Sequence, residues 1–207
     1  VDEPAVLAAT ITVDQNVQCF GTNIGQLTAN VTGGTAPYSY AWSAGGSAGS
    51  VNGGLAAGSY TVTITDANNC TTTATATVGG PTAALTASVG AKVNVSCGGG
   101  SNGQLNVSVA GGTAPYSYVW NTSPAQTSAT ASGLTAGSYT VTITDNNGCT
   151  TTFTDNITQP SLIALSINNV TQPTCNGDSD GSIDVGASGG TSPYTFSIPS
   201  LGVTGPN

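Results

Sequence analysis

The sequence predicts an all-β fold class, in which tandem immunoglobulin-like Greek-key β-sandwich domains form an extended array. The first observation is a repeat, because Gly33–Trp42 returns as Gly111–Trp120, a shift of 78 residues, and a looser copy follows at Gly189–Phe196. The second is that strand-length segments alternate apolar and polar residues. The third is that no stretch shows helical periodicity. A fixed period of this size indicates copies of one small domain.

The first copy contains segments that we assign to strands A, B, C, F and G of a sandwich. They span roughly residues 5–13, 25–32, 38–43, 59–66 and 70–79, and short irregular D and E pieces lie between C and F. In strand B, Leu27, Ala29 and Val31 alternate with threonine and asparagine. Such alternation, bounded by Gly, Asn and Pro, is typical of half-buried antiparallel strands.

Two short motifs predict the turns of this sandwich. Asp66–Asn69 and Asp145–Gly148 carry the residues of tight turns, so we expect F–G hairpins there with Asp66 and Asp145 as turn caps. Leu55–Tyr60, repeated at Leu134–Tyr139, resembles the tyrosine corner at the E–F bend of a Greek-key sandwich.

Matching prolines divide the chain into a first repeat (1–80), a second repeat (81–159) and an incomplete third repeat (160–207). Pro4, Pro81 and Pro160 fall at corresponding places, so Val1 corresponds to the end of the last strand of a repeat. We therefore expect the chain to begin on the tail of a preceding repeat and to be a window on a longer array.

The composition excludes several classes of function. Charged residues make up 5% of the chain, the net charge is −8, histidine is absent and Lys92 is the single basic residue. Nucleic-acid binding, which needs clustered Lys and Arg, is therefore excluded, as are His-ligated metals and histidine general acid–base catalysis. No apolar run is long enough for a membrane span, and the residues given predict no signal peptide among them. The sequence predicts no catalytic residue, no cofactor and no metal site.

The aromatic residues admit two interpretations. Tyr38, Tyr40 and Trp42 lie at alternate positions of strand C and hence on one face, where they form either a sugar-stacking platform or part of the core. Ile198 replaces the tryptophan in the third repeat, which favours core packing. The predicted structural core residues are Tyr38, Tyr40, Trp42, Tyr60, Tyr116, Tyr118, Trp120 and Tyr139.

Acidic residues in two places are candidates for calcium ligands. Asp178-Ser179-Asp180-Gly181 resembles the start of a calcium loop, but the distal Glu is missing and the earlier repeats lack these carboxylates. Asp2 and Glu3 lie at one junction between repeats, while Val78–Pro81 at the next has no acidic residue. A glycine-containing turn before strand B explains the 178–181 segment better.

The cysteines follow the repeat and predict disulfides. Cys19, Cys97 and Cys175 are 78 residues apart, and Cys70 and Cys149 are 79 apart. One pairing is within domains, Cys19–Cys70 and Cys97–Cys149. However, strand G would separate Cys19 from Cys70 by about 25 Å, whereas bridged Cα atoms lie within about 7 Å. This distance favours Cys19–Cys149 between domains, with Cys70 and Cys97 pairing to neighbouring repeats, although the first pairing remains open.

The combined pattern resembles the SprB-repeat family. It consists of Cys97-Gly98-x-x-x-x-Gly103, then Gly-Gly-Thr-x-Pro-Tyr-x-Tyr-x-Trp, then Leu-x-Ala-Gly-Ser-Tyr-Thr-Val-Thr-Ile-Thr-Asp-x-Asn-x-Cys. Membership implies a giant cell-surface adhesin of gliding Bacteroidetes-type bacteria, secretion through the type IX system, and display as an adhesive filament during gliding. The family offers no catalytic residues, and the third repeat departs from the pattern at Phe196 and Ile198.

These observations predict a structural segment of a long extracellular adhesin. Its expected partners are neighbouring repeats of the same chain, and surface glycans or the secretion and motility machinery. The alternative is a carbohydrate-binding module that recognises glycans through the loops Ala44–Asn52 and Asn121–Ser132, which vary between repeats while the framework is constant. An enzyme is the least favoured class, because no nucleophile has a neighbouring base.

Overall fold

The structure, a computed structural model, describes residues 4–198 and 203–206. Asp2 and Glu3, the acidic pair at the first junction, lie outside these residues, as does the side chain of Ile198. The described residues form β-strands, turns and loops without a helix, so none of their elements is a long apolar helix of membrane-spanning length. The predicted all-β fold class is confirmed.

The strands follow one another in the same order in the first two repeats. They are β1 (Ala8–Gln15), β2 (Gly25–Thr32), β3 (Ser39–Trp42), β4 (Val51–Leu55), β5 (Gly58–Thr65), β6 (Thr71–Val78), β7 (Thr86–Val93), β8 (Gly103–Ala110), β9 (Ser117–Trp120), β10 (Thr130–Leu134), β11 (Gly137–Thr144), β12 (Thr150–Ile157), β13 (Ala164–Thr171), β14 (Ser182–Ser188), β15 (Thr195–Ile198) and β16 (Val203–Pro206).

Two three-stranded antiparallel sheets form the first sandwich. Their strand orders are β1-β2-β4 and β3-β5-β6, which correspond to strands A-B-E and C-F-G. The second repeat has the same orders, β7-β8-β10 and β9-β11-β12. In the third repeat, β13 pairs with β14 and β15 pairs with β16, both antiparallel.

The core of the first sandwich is formed by side chains from both sheets. Leu27 and Leu55 pack with Val17 and Val78, and Val62 and Ile64 pack with Ala29 in a second cluster. Burying each of the larger side chains contributes about 1.5–3 kcal/mol. In the second repeat the corresponding residues Leu105, Leu134, Val141, Ile143 and Ile157 are also buried.

Strand E is more regular than the sequence predicts. Instead of short irregular pieces, β4 pairs with β2, and the register skips Gly54 between Gly53 and Leu55. Gly54 has φ +70°, a left-handed conformation that glycine adopts without strain. The same bulge recurs in β10 at Gly133. The bulge returns Leu55 to the core, which period-two reasoning alone does not foresee.

The predicted tyrosine corner is present. The Tyr60 hydroxyl donates a hydrogen bond to the Ala56 carbonyl at 3.0 Å, and Tyr139 donates to Thr135 at 3.1 Å. These bonds fix the bend into strand F in both repeats.

The chain divides into two compact units by its internal contacts. One consists of the described residues of Val1–Ala87, Val109–Tyr118 and Thr142–Thr152, and the other of the described residues of Ser88–Ser108, Val119–Val141 and Phe153–Asn207. The repeat boundaries 1–80, 81–159 and 160–207 remain predictions of the sequence.

Candidate functional site

The Gly-Gly-Thr segment of each repeat is a turn held against the start of that repeat. In the first repeat, Gly33 and Gly34 have φ +67° and +65°, and the Gly34 N–H donates to the Ala5 carbonyl at 2.7 Å. A Cβ atom on Gly33 would lie 2.0 Å from the Val6 carbonyl oxygen. The same approach recurs at Gly111 and Gly189, so the motif is glycine for steric reasons.

The tyrosine of the motif closes this turn. Tyr38 donates its hydroxyl proton to the Gly33 carbonyl at 2.7 Å, and Tyr116 donates to Gly111 at 2.8 Å. Tyr194 makes the corresponding bond to Gly189. The hydroxyl proton of each of these tyrosines is therefore engaged in a hydrogen bond within its own turn.

Asp66 connects this turn to the F–G hairpin. Its Oδ2 accepts a hydrogen bond from the Thr35 N–H at 3.0 Å, and its Oδ1 accepts from the N–H groups of Asn68 and Cys70, each at 2.9 Å. The bond from Thr35, with those from Cys70 and Asn68, lowers the pKa of Asp66 despite burial. The carboxylate thus places Cys70 at a fixed position.

Asp145 performs the same role in the second repeat. It is 5% exposed, and burial alone would raise the pKa of its carboxyl group. Backbone N–H groups of Thr113, Cys149 and Asn147 each donate to it at 2.9 Å, and they outweigh burial, so the pKa is lowered. The Asp145 carboxylate therefore holds Cys149 at the end of its hairpin in the same way as the Asp66 carboxylate holds Cys70.

The other cysteines begin a different turn, which is common to all three repeats. The Cys19 carbonyl accepts a hydrogen bond from the Thr22 N–H at 3.1 Å, across Gly21 with φ +79°. The Cys97 and Cys175 carbonyls accept in the same way across Gly99 and Gly177, which also have positive φ. Each repeat therefore presents this cysteine on the same backbone conformation.

A disulfide joins Cys19 of the first repeat to Cys149 of the second. Their Cα atoms are 5.7 Å apart and their sequence separation is 130 residues. Beside it, the Asn147 side-chain amide donates to the Gln18 carbonyl at 3.0 Å and to the Thr113 hydroxyl at 3.1 Å. The hairpin of one repeat and the A–B connection of the preceding repeat are thus joined by a covalent and a polar contact.

The pairing within domains, Cys19–Cys70 and Cys97–Cys149, does not occur in the described structure. Cys70, Cys97 and Cys175 are exposed free thiols. Cys70 precedes β6, whereas the segment before Cys19 contacts Gly79 after the other end of β6. An eight-residue strand spans about 25 Å, which is too far for a disulfide.

The segment between β1 and Cys19 is anchored to the end of β6. The Val17 N–H donates to the Gly79 carbonyl at 2.9 Å, and the Gly79 N–H donates to Asn16 Oδ1 at 2.7 Å. Val17 is 4% exposed and packs in the core. The second repeat has the same two bonds. The Thr158 N–H donates to Asn94 Oδ1 at 3.0 Å, and the Val95 N–H donates to the Thr158 carbonyl at 2.9 Å.

The aromatic residues predicted as core differ in burial. Trp120 is 1% exposed, whereas Tyr38, Tyr40, Trp42, Tyr60, Tyr116, Tyr118 and Tyr139 are half-buried. The tyrosines and tryptophan of the first repeat pack against the margin of the core. Both indole N–H groups donate to backbone carbonyls, Trp42 to Gly49 at 3.0 Å and Trp120 to Ser128 at 2.9 Å.

The two carboxylates of the 178–181 segment hold a turn. Asp180 Oδ1 accepts from the Thr174 N–H at 3.1 Å, and the Thr174 hydroxyl lies within hydrogen-bonding distance of the carboxylates of both Asp178 and Asp180. The bonds from Thr174 lower the pKa of Asp180. In the second repeat, Asn102 Oδ1 accepts from the Ser96 N–H in the same way at 3.1 Å. Asp180 thus has the turn-forming role of a neutral asparagine.

A cavity of about 540 Å³ lies beside the variable loop of the second repeat and is lined by residues from Asn121 to Tyr139. Its polar side chains are largely engaged within the protein. Gln126 donates to the Ser132 carbonyl and accepts from the Ser132 N–H, and Asn121 accepts from the Thr140 N–H.

Sequence reasoning predicted Asp66 as a turn cap, but it missed the contact of Asp66 with Thr35 and the burial of Asn52. The bond from Thr35 to Asp66 joins positions far apart in sequence, and no local pattern signals it. Asn52 is fully buried, and its amide donates to the Ala44 carbonyl at 2.7 Å, while its Oδ1 has no partner among the described residues. The position of the second repeat that corresponds to Asn52 is occupied by Ala131, an apolar residue, and this was the signal in the sequence that the position is buried.

Comparisons with known proteins give one family and several solved structures. A family model described as "SprB repeat" matches residues 10–47, 89–125 and 167–201. No curated protein shows a significant match.

Several solved structures are similar to this chain. The three N-terminal domains of the highly immunogenic outer capsid protein of bacteriophage RB49 have 15% identity, cover 91% of this chain and 73% of that chain, and have a TM-score of 0.45. A C-terminal fragment of intimin, solved with the translocated intimin receptor, has 17% identity, coverage of 81% and 67%, and a TM-score of 0.41. A tetra-tandem repeat from the extending region of a large adhesion protein has 17% identity, coverage of 88% and 63%, and a TM-score of 0.27.

Proposed function

The chain belongs to the SprB repeat family and is a surface repeat protein, and from this premise we propose that it is a stalk segment of a long secreted cell-surface adhesin. In this role it serves surface attachment and gliding motility by carrying a binding region away from the cell. Its partners are the neighbouring repeats of the same protein. The role is structural rather than enzymatic.

The observation that carries this proposal is the junction between the first two repeats. A stalk needs each repeat to be fixed to the next, and the disulfide between Cys19 and Cys149 does this covalently. The bond from Asn147 to Gln18 lies beside it. The residues that build the junction are turn residues of both repeats, so the same device is available wherever two such repeats follow each other.

The composition supports a stalk exposed to the medium. Charged residues are only 5% of the chain, and threonine hydroxyls supply polar surface instead. Thr61 pairs with Thr75 at 2.9 Å, and Thr140 pairs with Thr154 at 2.8 Å, on neighbouring strands. Cross-strand hydroxyl pairs stabilise exposed sheet faces without ionic groups.

The test uses cells that produce the full-length protein. An antibody against residues 1–207 should label intact cells, and in-frame deletion of residues 81–159 should preserve surface display while reducing attachment and gliding through a shorter reach. The matched control is insertion of one copy of residues 81–159 into the shortened protein, which should restore the length of the stalk and with it attachment and gliding. Labelling only after cell lysis would contradict surface display, and unchanged attachment and gliding after deletion would contradict the stalk role.

A second candidate function is carbohydrate binding through the variable loops. The cavity at Asn121–Tyr139 favours it, because it lies in one of the loops that the sequence singles out. The engagement of Gln126 and Asn121 within the protein counts against it. Glycan-array binding by the purified chain, abolished by Tyr139→Ala and retained by Tyr60→Ala, would establish this function in place of a passive stalk.

A further inference from the structure

The disulfide creates two covalent routes through the first two repeats. The long route is the backbone from Cys19 to Cys149, a sequence separation of 130 residues, and it contains every strand from β2 to β11. The short route is the disulfide itself. It connects the residues after β1 directly to the residue before β12.

We propose that the Cys19–Cys149 disulfide is a mechanical bypass, which carries tension across the first two repeats and keeps β2 to β11 out of the force path. Tension applied to the ends of the chain enters through β1, crosses the disulfide and leaves through β12. This inference deepens the proposed stalk function, because it states how the stalk withstands pulling.

The bypass is effective because the short route has little slack. β1 and β12 are strands of eight residues, and a strand rises about 3.3 Å per residue, close to the maximum length of a chain. Between β1 and Cys19, Asn16 and Val17 are held to Gly79 by two hydrogen bonds. The short route therefore becomes taut before the sandwiches deform.

The two strands in the force path are also fastened to their repeats. Along β1, the Asp14 carboxylate accepts from the Thr28 hydroxyl at 2.6 Å, and the Thr12 hydroxyl accepts from Asn30 at 2.9 Å. On β12, Asp155 forms an ion pair with Lys92 of β7 at 3.0 Å, and this bond lowers the pKa of Asp155. These contacts keep the strands in place while tension runs along their backbones.

Without the disulfide, the force path is different. Tension then enters the first sandwich at β1 and leaves it at β6, so it shears these strands from their neighbours. The second sandwich is pulled in the same way from β7 to β12. Unfolding of both would release the 130 residues of the loop, which is roughly 430–470 Å of extended chain before the folded length is subtracted.

The test is single-molecule pulling of the full chain, held between two marker domains of known unfolding length. In the oxidised protein we expect no step from the loop at forces that unfold the markers. The residues that follow β12 are pulled in both states, so their extension serves as an internal reference. After dithiothreitol is added, we expect further steps whose sum approaches roughly 430–470 Å less the folded length.

Two variants complete the test. Cys19→Ser should show the long extension without reductant, whereas Cys70→Ser, which removes a free thiol, should behave as the oxidised wild type. If Cys19→Ser does not fold, reduced wild-type protein gives the same measurement. Equal extension in the oxidised and reduced states, or five reactive thiols in the unreduced protein, would overturn the bypass. The measurement uses purified chain, so a negative result for cell attachment would not alter it.

Discussion

At the scale of single residues, the buried carboxylates make the turns sensitive to acid. Asp145 has a lowered pKa because backbone N–H groups stabilise its charged form. Since the folded pKa lies below the value of about 3.9 for an unfolded Asp, its stabilisation is complete at neutral pH. It is lost as the pH falls below that value and through the folded pKa.

We therefore expect Asp145→Asn to lower the melting temperature at pH 7 and to flatten its decline below pH 4. Asp184→Asn, at an exposed position of β14, is the control and should retain the wild-type profile. Thermal unfolding followed by circular dichroism from pH 7 to pH 2 measures both effects. An acid decline as steep in Asp145→Asn as in wild type would show that this carboxylate is not responsible.

Glycines with positive φ differ in what surrounds them, and this difference gives a matched pair. A Cβ on Gly111 would lie 1.9 Å from the Ala84 carbonyl oxygen, whereas Gly148 has nothing within 4 Å. Gly111→Ala should destabilise by at least about 3 kcal/mol, from backbone strain and displacement of Ala84. Gly148→Ala should cost about 1–2 kcal/mol, from strain alone. Chemical denaturation measures both, and equal losses would contradict the steric explanation.

The cysteines should divide into two classes in their reactivity. Cys70, Cys97 and Cys175 are exposed free thiols, while Cys19 and Cys149 are bonded. We expect alkylation to modify three cysteines in the unreduced protein and five after reduction and unfolding. Mass spectrometry of unreduced peptides should find the Cys19 peptide joined to the Cys149 peptide. A Cys19–Cys70 link would instead support pairing within a domain.

At the scale of elements, the connection from β1 to β2 is part of the core. Val17 lies in this connection and packs with Leu27, Leu55 and Val78. Val17→Ala should destabilise the protein by roughly 2–3 kcal/mol, through lost burial and a cavity. Val13→Ala, at a position 38% exposed on β1, should cost about 1 kcal/mol or less. Urea denaturation compares them, and similar losses would show that the connection is not anchored.

The strands were predictable because their signal is local. Leu27, Val62 and Ile64 alternate with polar residues, and the structure buries all three. The tyrosine corner was predictable from a short motif as well. The regular form of β4 was not, because the bulge at Gly54 breaks the period of two. The bond between Thr35 and Asp66 depends on two turns meeting in space, and a single sequence carries no pattern for it.

At the scale of the whole molecule, the disulfide should couple the stability of two repeats. It closes a loop with a sequence separation of 130 residues, for which the chain-entropy estimate is about 5 kcal/mol of stabilisation. Reduction should therefore lower the free energy of unfolding by up to about this amount. Denaturation with and without reductant measures the change, and Cys149→Ser should lose the dependence on reductant. Cys70→Ser should retain it.

The opposite placement of the two kinds of cysteine affects how the gene can change. A repeat carries one cysteine after its first strand and another before its last strand, as Cys19 and Cys70 do. The first cysteine of each copy can thus form a disulfide with the copy that follows, and its second cysteine can form one with the copy that precedes it. Unequal recombination that adds or removes whole copies therefore leaves a pair of cysteines able to form a disulfide at every new junction between repeats. Protein length can therefore drift between lineages without an unmatched thiol inside the series.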